Sequence, residues 1–259
     1  MAIRKLLLPL PGPVGARAAI ETGLTVARLW GAHLLVMHIR SDEERAVAVR
    51  HAFDEAVAER GVTVGDASRG GPLTASFAWV GSRDVEQLVF QARLSDMTVV
   101  PHPEAGDDAS SSDTLHAMLF DSGRPVLVAP HAPPASVGTR ICIGWNGTAE
   151  SSSAVYVMTP WLRRAQAVRI LSADGYQRRG PAAQDLVDFL ALHGVHADWV
   201  TFPPINGSVG AGLLAAAEEF GADLMAMGAY SHSRWRQMIL GGVTRHVLAN
   251  ARLPVIMNR

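Results

Sequence analysis

The segment ADLMAMGAYSHSRWRQMILGGVT (222–244) combines an apolar run, a basic and hydroxyl-rich stretch, and a pair of glycines that precede a helical pattern. The apolar run has the length and composition of a buried strand. Gly241 and Gly242 stand just before VTRHVLAN (243–250), in which apolar residues recur with helical spacing. A buried strand that leads into a helix through such a connection is the building unit of a parallel α/β sheet.

The chain contains this plan twice. SDMTVVPHPE (95–104) aligns with ADLMAMGAYS (222–231), and SGRPVLVAP (122–130) aligns with NARLPVIMN (250–258). The matching Asp and Pro residues of these pairs are offset by 127 and 129 residues. A period of this length is far too long for a solenoid, so it indicates two copies of one α/β domain.

Each copy alternates short runs rich in Val, Ile and Leu with longer stretches of helical period, which predicts a parallel sheet covered on both faces. In the second copy we predict strands at 140–145, 168–173, 197–202, 223–228 and 254–258, and helices at 149–165, 177–193, 208–220 and 242–251, with Pro160 expected to break the first helix. In the first copy we predict strands at 5–10, 33–39, 74–79, 97–101 and 125–129. The fold class is therefore α/β, with two tandem doubly wound domains at 1–131 and 138–259 and a stiff linker, HAPPASVGT (131–139).

Composition narrows the class of protein. The chain has 259 residues, of which 48% are hydrophobic and 18% charged, as in a soluble globular protein. A formal net charge of −1 gives no electrostatic reason to expect a nucleic acid or an anionic membrane as partner. The amino-terminal apolar run resembles a signal peptide poorly because Pro9 and Pro11 interrupt it, and its second copy indicates a core strand. We expect a cytoplasmic protein with no membrane span. We also expect the single cysteine, Cys142, to be a small buried apolar residue.

The glycines around the basic stretch have two possible roles. Gly228 ends a predicted strand at the sheet edge where α/β proteins bind ligands, and glycine lets backbone approach a ligand or adopt a positive φ. Gly241 and Gly242 open a helix, whose first N–H groups bind anions, and Ser231 and Thr244 add hydroxyl groups. The arrangement suits phosphate, although the chain has no P-loop motif. The alternative is that the glycines only turn the chain.

Two stretches carry a family resemblance: GAYSHSRWRQMILGGVTRHVLANARLPVIM (228–257) and ICIGWNGTAESSSAV (141–155). They resemble the universal stress protein family, and more closely its bacterial members with two tandem domains in one chain. The family signature is Gly, two residues, Gly, nine residues, Gly, then Ser or Thr. Gly228 and Gly241 match the first and third glycines, whereas Ser231 stands at the second and Gly242 at the Ser or Thr position.

The resemblance implies a Rossmann-like domain of the adenine nucleotide alpha hydrolase-like type that binds ATP, with Mg²⁺ accompanying the nucleotide. Asn146 occupies the acidic position that helps hold the nucleotide, and Ala173 lies near the adenine position. The residues implied to contact ribose and phosphate are Gly228, Ser231, Gly241, Gly242, Val243 and Thr244. Single-domain members dimerise, so the resemblance implies an internal pseudo-two-fold pair through 125–129 and 254–258, with a further homodimer possible.

Three functions stay open at this point. The first is a stress-response regulator that binds ATP in the second copy. The second is a protein that binds no nucleotide and acts through a protein partner. The third is a slow ATPase, although no catalytic constellation is recognisable in the sequence and none is predicted.

The first copy departs from the signature. In VVPHPEAGDDASSSDTLHAML (99–119), Pro101 replaces the first glycine and Glu104 the second, and no glycine pair precedes the helix. Its aspartates would repel phosphate, so we predict that this copy binds no nucleotide. Two histidines beside these acids could form a mixed N/O metal site, but a solvated loop is the simpler interpretation and no metal is predicted. The side chains concerned are His102, His116, Glu104, Asp107 and Asp108.

Overall fold

A computed structural model describes residues 2–40, 43–66, 73–81, 85–103, 109–175, 180–229 and 242–259 of the chain. It divides into two compact units, an N-terminal unit of Met1–Ala135 and a C-terminal unit of Ser136–Arg259. Across the described parts of the chain, no helix is both long and apolar enough to cross a membrane.

The N-terminal unit alternates strands and helices. Its elements are β1 (Lys5–Leu10), α1 (Ala16–Trp30), β2 (His33–Arg40), α2 (Glu43–Glu59), β3 (Thr63–Val64), β4 (Thr74–Gly81), α3 (Val85–Arg93), β5 (Met97–Val100), α4 (Ala109–Asp121) and β6 (Val126–Val128). The strands pair in parallel in the order β3-β4-β2-β1-β5-β6. The five predicted strands are confirmed. The two-residue β3 was not predicted because it is too short to show a pattern.

The C-terminal unit repeats this topology. Its elements are β7 (Arg140–Gly144), α5 (Ala149–Leu162), β8 (Ala167–Ala173), α6 (Ala183–Leu192), β9 (Ala197–Phe202), α7 (Val209–Phe220), β10 (Leu224–Gly228), α8 (Gly242–Asn250) and β11 (Val255–Asn258). The strands pair in parallel in the order β11-β10-β7-β8-β9. In both units the first strand lies centrally, with the next major strands on one side and the last two on the other. This order confirms a doubly wound arrangement of the strands in each unit.

The repeated aspartate has the same structural role in each unit. Asp96 Oδ2 accepts hydrogen bonds from the backbone N–H groups of Arg4 and Lys5, at 2.7 and 3.0 Å. Asp223 accepts from the N–H groups of residues 138 to 140, at 2.8–3.1 Å, and from the Ser136 hydroxyl at 2.6 Å. Each carboxylate therefore pairs the backbone donors that precede the central strand of its sheet.

The central strands form the cores of both units. Leu6, Leu7 and Leu8 of β1 are fully buried, which confirms the prediction that the amino-terminal apolar run is a core strand. Cys142 of β7 is also fully buried, and its burial raises the pKa of the thiol far above the ordinary value. The thiol is therefore protonated and acts as a small apolar group, as predicted.

Two helix boundaries differ from prediction. Pro160 does not break α5, which continues to Leu162 and ends near Arg163. Pro160 only removes a bond to the carbonyl of Tyr156, an exposed residue where water can replace that bond. Helix α6 begins at Ala183 rather than 177, because Gly180 packs against the backbone of Gly147 and is held outside the helix.

Candidate functional site

A cleft opens at the carboxyl edge of the C-terminal sheet, between β7 and β10. These are the two strands at which the order of the sheet reverses, the position where doubly wound sheets bind ligands. The cleft is lined by the ends of four strands and by the first turns of α7 and α8. The lining residues are Gly144, Trp145, Asn146, Leu171, Ala173, Phe202, Val209, Leu213, Met227, Gly228, Gly242, Val243 and Thr244.

The structure brings most of the predicted contact residues together. Six of the eight line this cleft: Asn146, Ala173, Gly228, Gly242, Val243 and Thr244. The other two, Ser231 and Gly241, lie outside the described residues, as does the rest of the basic stretch at 230–241. Residues at the ends of strands and at the start of α8, which are far apart in sequence, therefore meet at one edge of the sheet.

Asn146 follows β7 and is held by the start of the next helix. Its side-chain oxygen Oδ1 accepts from the Thr148 backbone N–H at 3.2 Å and from the Thr148 hydroxyl at 2.9 Å. Thr148 in turn caps α5, because its hydroxyl accepts from the Ser151 N–H. Among the described residues the Asn146 amide nitrogen has no hydrogen-bond partner. Asn146 therefore offers the cleft a hydrogen-bond donor.

Trp145 has a packing role and also lines the cleft. It is buried, and its indole N–H donates to the Pro181 carbonyl at 3.0 Å. Gly147, two residues further on, has a φ of +75° and lies against Gly180. The connection after β7 is thereby fixed to the segment that precedes α6, which gives one wall of the cleft a defined position.

Gly228 requires a correction to its predicted role. Its φ is not among the positive values found in this chain, so a left-handed conformation is not the reason for glycine here. A Cβ at this position would stand 2.5 Å from the Ser151 nitrogen and 2.6 Å from the Glu150 carbonyl carbon. Glycine at 228 therefore lets β10 pack directly against the first turn of α5, while its backbone borders the cleft.

The first turn of α8 borders the cleft from the other side. Gly242 is exposed, and a Cβ built there would meet no atom within 4 Å. Thr244 is buried, with 5% of its surface exposed. The first N–H groups of a helix have no carbonyl partner within that helix, so this end of α8 presents backbone donors and the positive end of the helix dipole.

The remaining lining is apolar and was not predicted. Leu171, Phe202, Val209, Leu213 and Met227 form it together with Ala173. In the sequence these residues end strands or begin a helix with ordinary core periodicity, so nothing distinguished them from packing residues. The cleft thus combines apolar side chains with polar donors.

Two neighbouring features do not add functional groups. Asp174 lies just beyond β8, where it is exposed and its N–H donates to the Phe202 carbonyl at 3.0 Å, as expected for a turn. His246 of α8 packs on α7. A Cβ built on Gly210 would lie 2.6 Å from the His246 Cβ, and the His246 Nδ1 lies 3.4 Å from the Ser208 hydroxyl.

The corresponding edge of the N-terminal unit differs. Pro101 follows β5, and the ring of buried His102 stacks on that of His131 with a centroid distance of 3.8 Å. Burial and the neighbouring His131 lower the pKa of His102 to about 4, so it is neutral near pH 7. Among the described residues no three potential ligands cluster around a metal position. The acids proposed beside His102 lie outside the described residues.

Comparison with known proteins identifies the family. Residues 153–259 match the sequence profile of the universal stress protein family. Residues 153–259, which make up most of the C-terminal unit, therefore form a domain of this family. The matched region contains β8 to β11 and therefore most of the cleft lining of this universal stress protein domain. A search of curated proteins found no match.

Solved structures extend the likeness to the whole chain as a fold. A universal stress protein from Archaeoglobus fulgidus aligns with a TM-score of 0.68 and 15% identity, over 98% of each chain. A protein of unknown function from Pseudomonas aeruginosa aligns with a TM-score of 0.58 and 16% identity, over 99% of this chain and 92% of that one. The cytoplasmic domain of a prokaryotic cation chloride cotransporter aligns at 0.52 and 13%, over 98% and 95%. At these identities the likeness shows the fold alone.

Proposed function

We propose that the universal stress protein domain of this chain binds an adenine nucleotide, ATP, in the cleft between β7 and β10. The observation that carries the proposal is the convergence of Asn146, Ala173 and the first turn of α8 on one cleft at the reversal point of the sheet. These groups come from three parts of the chain that are far apart in sequence, and each corresponds to a position that the family resemblance assigns to the nucleotide.

The chemistry of the cleft suits the two parts of a nucleotide. Phe202, Val209 and Leu213 line the cleft together with Ala173 and make it apolar. Such a lining suits the flat, weakly polar faces of a base. The N–H groups of Gly242, Val243 and Thr244 and the positive end of α8 suit phosphate. The Asn146 amide also lines the cleft and suits an oxygen acceptor of the ribose or phosphate.

The proposed role is regulatory and cytoplasmic. Among the described lining residues there is no carboxylate, imidazole or thiol that could activate a water molecule. Binding of the nucleotide would instead make the interaction with a protein partner depend on the nucleotide level in the cell. The N-terminal unit, whose equivalent edge lacks the glycine pair, would bind no nucleotide and would serve as a structural or partner-binding copy.

The test is the identity of the bound ligand and its dependence on the cleft. Purified protein is denatured and the released small molecules are identified by mass spectrometry, and stripped protein is then titrated with ATP. We expect Ala173→Leu to lower ATP affinity by about tenfold or more, because the larger side chain fills the apolar region. Ala167→Leu, at the other end of β8 on the same face, is the matched control. An absence of nucleotide and of ATP binding, or equal affinity of both variants, would refute the proposal and favour a role through protein partners.

A further inference from the structure

We infer that the outer edge of β9 is a docking site for a protein partner, which adds an extended segment with apolar and basic side chains to the C-terminal sheet. The inference concerns the side of β9 that faces away from β8, so it does not depend on the proposed ATP binding. It rests on the backbone direction of β9, the exposure of Trp199 and the charge of α6.

The backbone of β9 directs half of its polar groups away from the sheet. β9 is the last strand in the order of the C-terminal sheet, and within the described residues only β8 pairs with it. The Phe202 carbonyl faces β8, because it accepts from the Asp174 N–H at 3.0 Å. Successive residues of a strand direct their N–H and C=O groups to opposite sides. The groups of Trp199 and Thr201 therefore point outward, where an added strand can pair with them.

This edge lacks the features that commonly protect an edge strand. Lysine, proline or an inward-pointing charge usually prevents further pairing. β9 (ADWVTF, 197–202) contains no lysine and no proline. Its one charged residue, Asp198, accepts from the Arg169 guanidinium at 2.6 and 2.9 Å, and that guanidinium lies over the Phe220 ring of α7. The charge of Asp198 is thus directed to the α7 side and leaves the edge available.

Trp199 offers an apolar contact on the opposite face of β9. Its side chain lies on the α6 side and is 42% exposed. The indole N–H donates to Gln184 Oε1 at 3.1 Å, and Gln184 Nε2 donates to Asp188 Oδ1 at 2.9 Å. These bonds hold the ring in one orientation and connect it to a carboxylate of α6. A tryptophan held in this way is typical of the residues that anchor a protein partner.

Helix α6 determines the charge of the partner. Its sequence, AQDLVDFLAL (183–192), contains two carboxylates and no basic residue. Both are exposed, and their described hydrogen bonds come from neutral donors: a backbone N–H for Asp185 and the Gln184 amide for Asp188. Side chains of an added strand alternate between the two faces of the sheet. On the α6 side the partner would therefore place an apolar residue against Trp199 and a lysine or arginine beside Asp188.

The experiment measures binding of two fluorescein-labelled peptides to the full chain by fluorescence anisotropy. The first peptide is Lys-Thr-Val-Thr-Lys-Thr-Val-Thr-Lys, and the second has glutamate in place of each lysine. Thr201→Pro removes an outward N–H and keeps the bonds to β8, because edge strands accept proline where the N–H faces outward. Thr201→Val keeps that N–H and is the matched control. Asp188→Asn removes the charge and keeps an oxygen for the Gln184 amide.

We expect the wild type to bind the lysine peptide at least about tenfold more tightly than the glutamate peptide. Thr201→Pro should lose about tenfold or more of this affinity and Thr201→Val less than about threefold, while Asp188→Asn should lose about threefold or more. No binding of the lysine peptide, equal binding of the two peptides, or equal affinity of the two Thr201 variants would overturn the inference. A wild-type dimer that Thr201→Pro makes monomeric in sedimentation would also overturn it, because a second copy of the chain would then occupy the edge.

Discussion

Single residues decide how closely the elements around the cleft approach one another. Gly228 has no room for a Cβ, since the backbone of α5 stands 2.5–2.6 Å from where one would be placed. Gly242, in contrast, has open space around that position. The two glycines therefore differ in their surroundings: Gly228 leaves no room for a side chain and Gly242 does, which the sequence alone could not distinguish.

This difference predicts opposite tolerance to alanine. Gly228→Ala should lower the free energy of unfolding by about 1–3 kcal/mol, because β10 and α5 must separate to admit the methyl group. Gly242→Ala should leave stability unchanged or raise it slightly, because glycine is a poor helix former. Urea unfolding of both variants measures this. Equal stability of the two variants would show that the packing of Gly228 is wrongly described.

At the scale of elements, the first turn of α8 allows helix stability to be separated from phosphate binding. Gly242→Asp should stabilise α8 by about 0.3–1 kcal/mol through the helix dipole. The same carboxylate should repel phosphate and lower ATP affinity by about tenfold.

Gly242→Ser restores the residue type of the family signature, and its hydroxyl should tighten ATP binding by roughly two- to tenfold. Thermal unfolding and ATP titration of both variants provide the two readouts, and a Gly242→Asp variant that gains both stability and ATP affinity would contradict the proposed contact.

Element boundaries show where sequence patterns suffice. Hydrophobic runs fixed the strands of both units to within about two residues, because a buried parallel strand needs little besides continuous apolar residues. The start of α6 was wrong by several residues, since Gly180 is held by Gly147, a tertiary contact that leaves no local pattern. Pro160 was expected to end α5, but the missing hydrogen bond lies near the last turn, on an exposed residue, where it costs little.

The candidate site was predictable in part for a similar reason. The spacing of glycines and the resemblance indicated this cleft, and six of the eight residues line it. The apolar side was missed because Phe202 and Val209 follow ordinary core periodicity. The direction of the Asn146 amide depends on Thr148, two residues away, and becomes clear only when hydrogen bonds are known.

At the scale of the whole molecule, the chain is a tandem repeat whose two copies have diverged at one edge. The same strand order recurs in both units. In each unit an aspartate, Asp96 or Asp223, accepts hydrogen bonds from backbone N–H groups at the start of the central strand. The C-terminal unit carries the glycine pair and the cleft, whereas the N-terminal unit carries Pro101 and a stacked histidine pair. Pairing of the two copies through 125–129 and 254–258 stays a prediction. Ligand binding is therefore proposed for the C-terminal unit only.

The number of nucleotides bound per chain tests this assignment most directly. Calorimetric titration of the intact, nucleotide-free chain with ATP should give a stoichiometry of about one, and Gly242→Asp should weaken that single site while the protein stays folded. Two sites per chain would show that the N-terminal unit also binds nucleotide. No heat at millimolar ATP, with or without Mg²⁺, would contradict the central claim that the cleft between β7 and β10 is a nucleotide site.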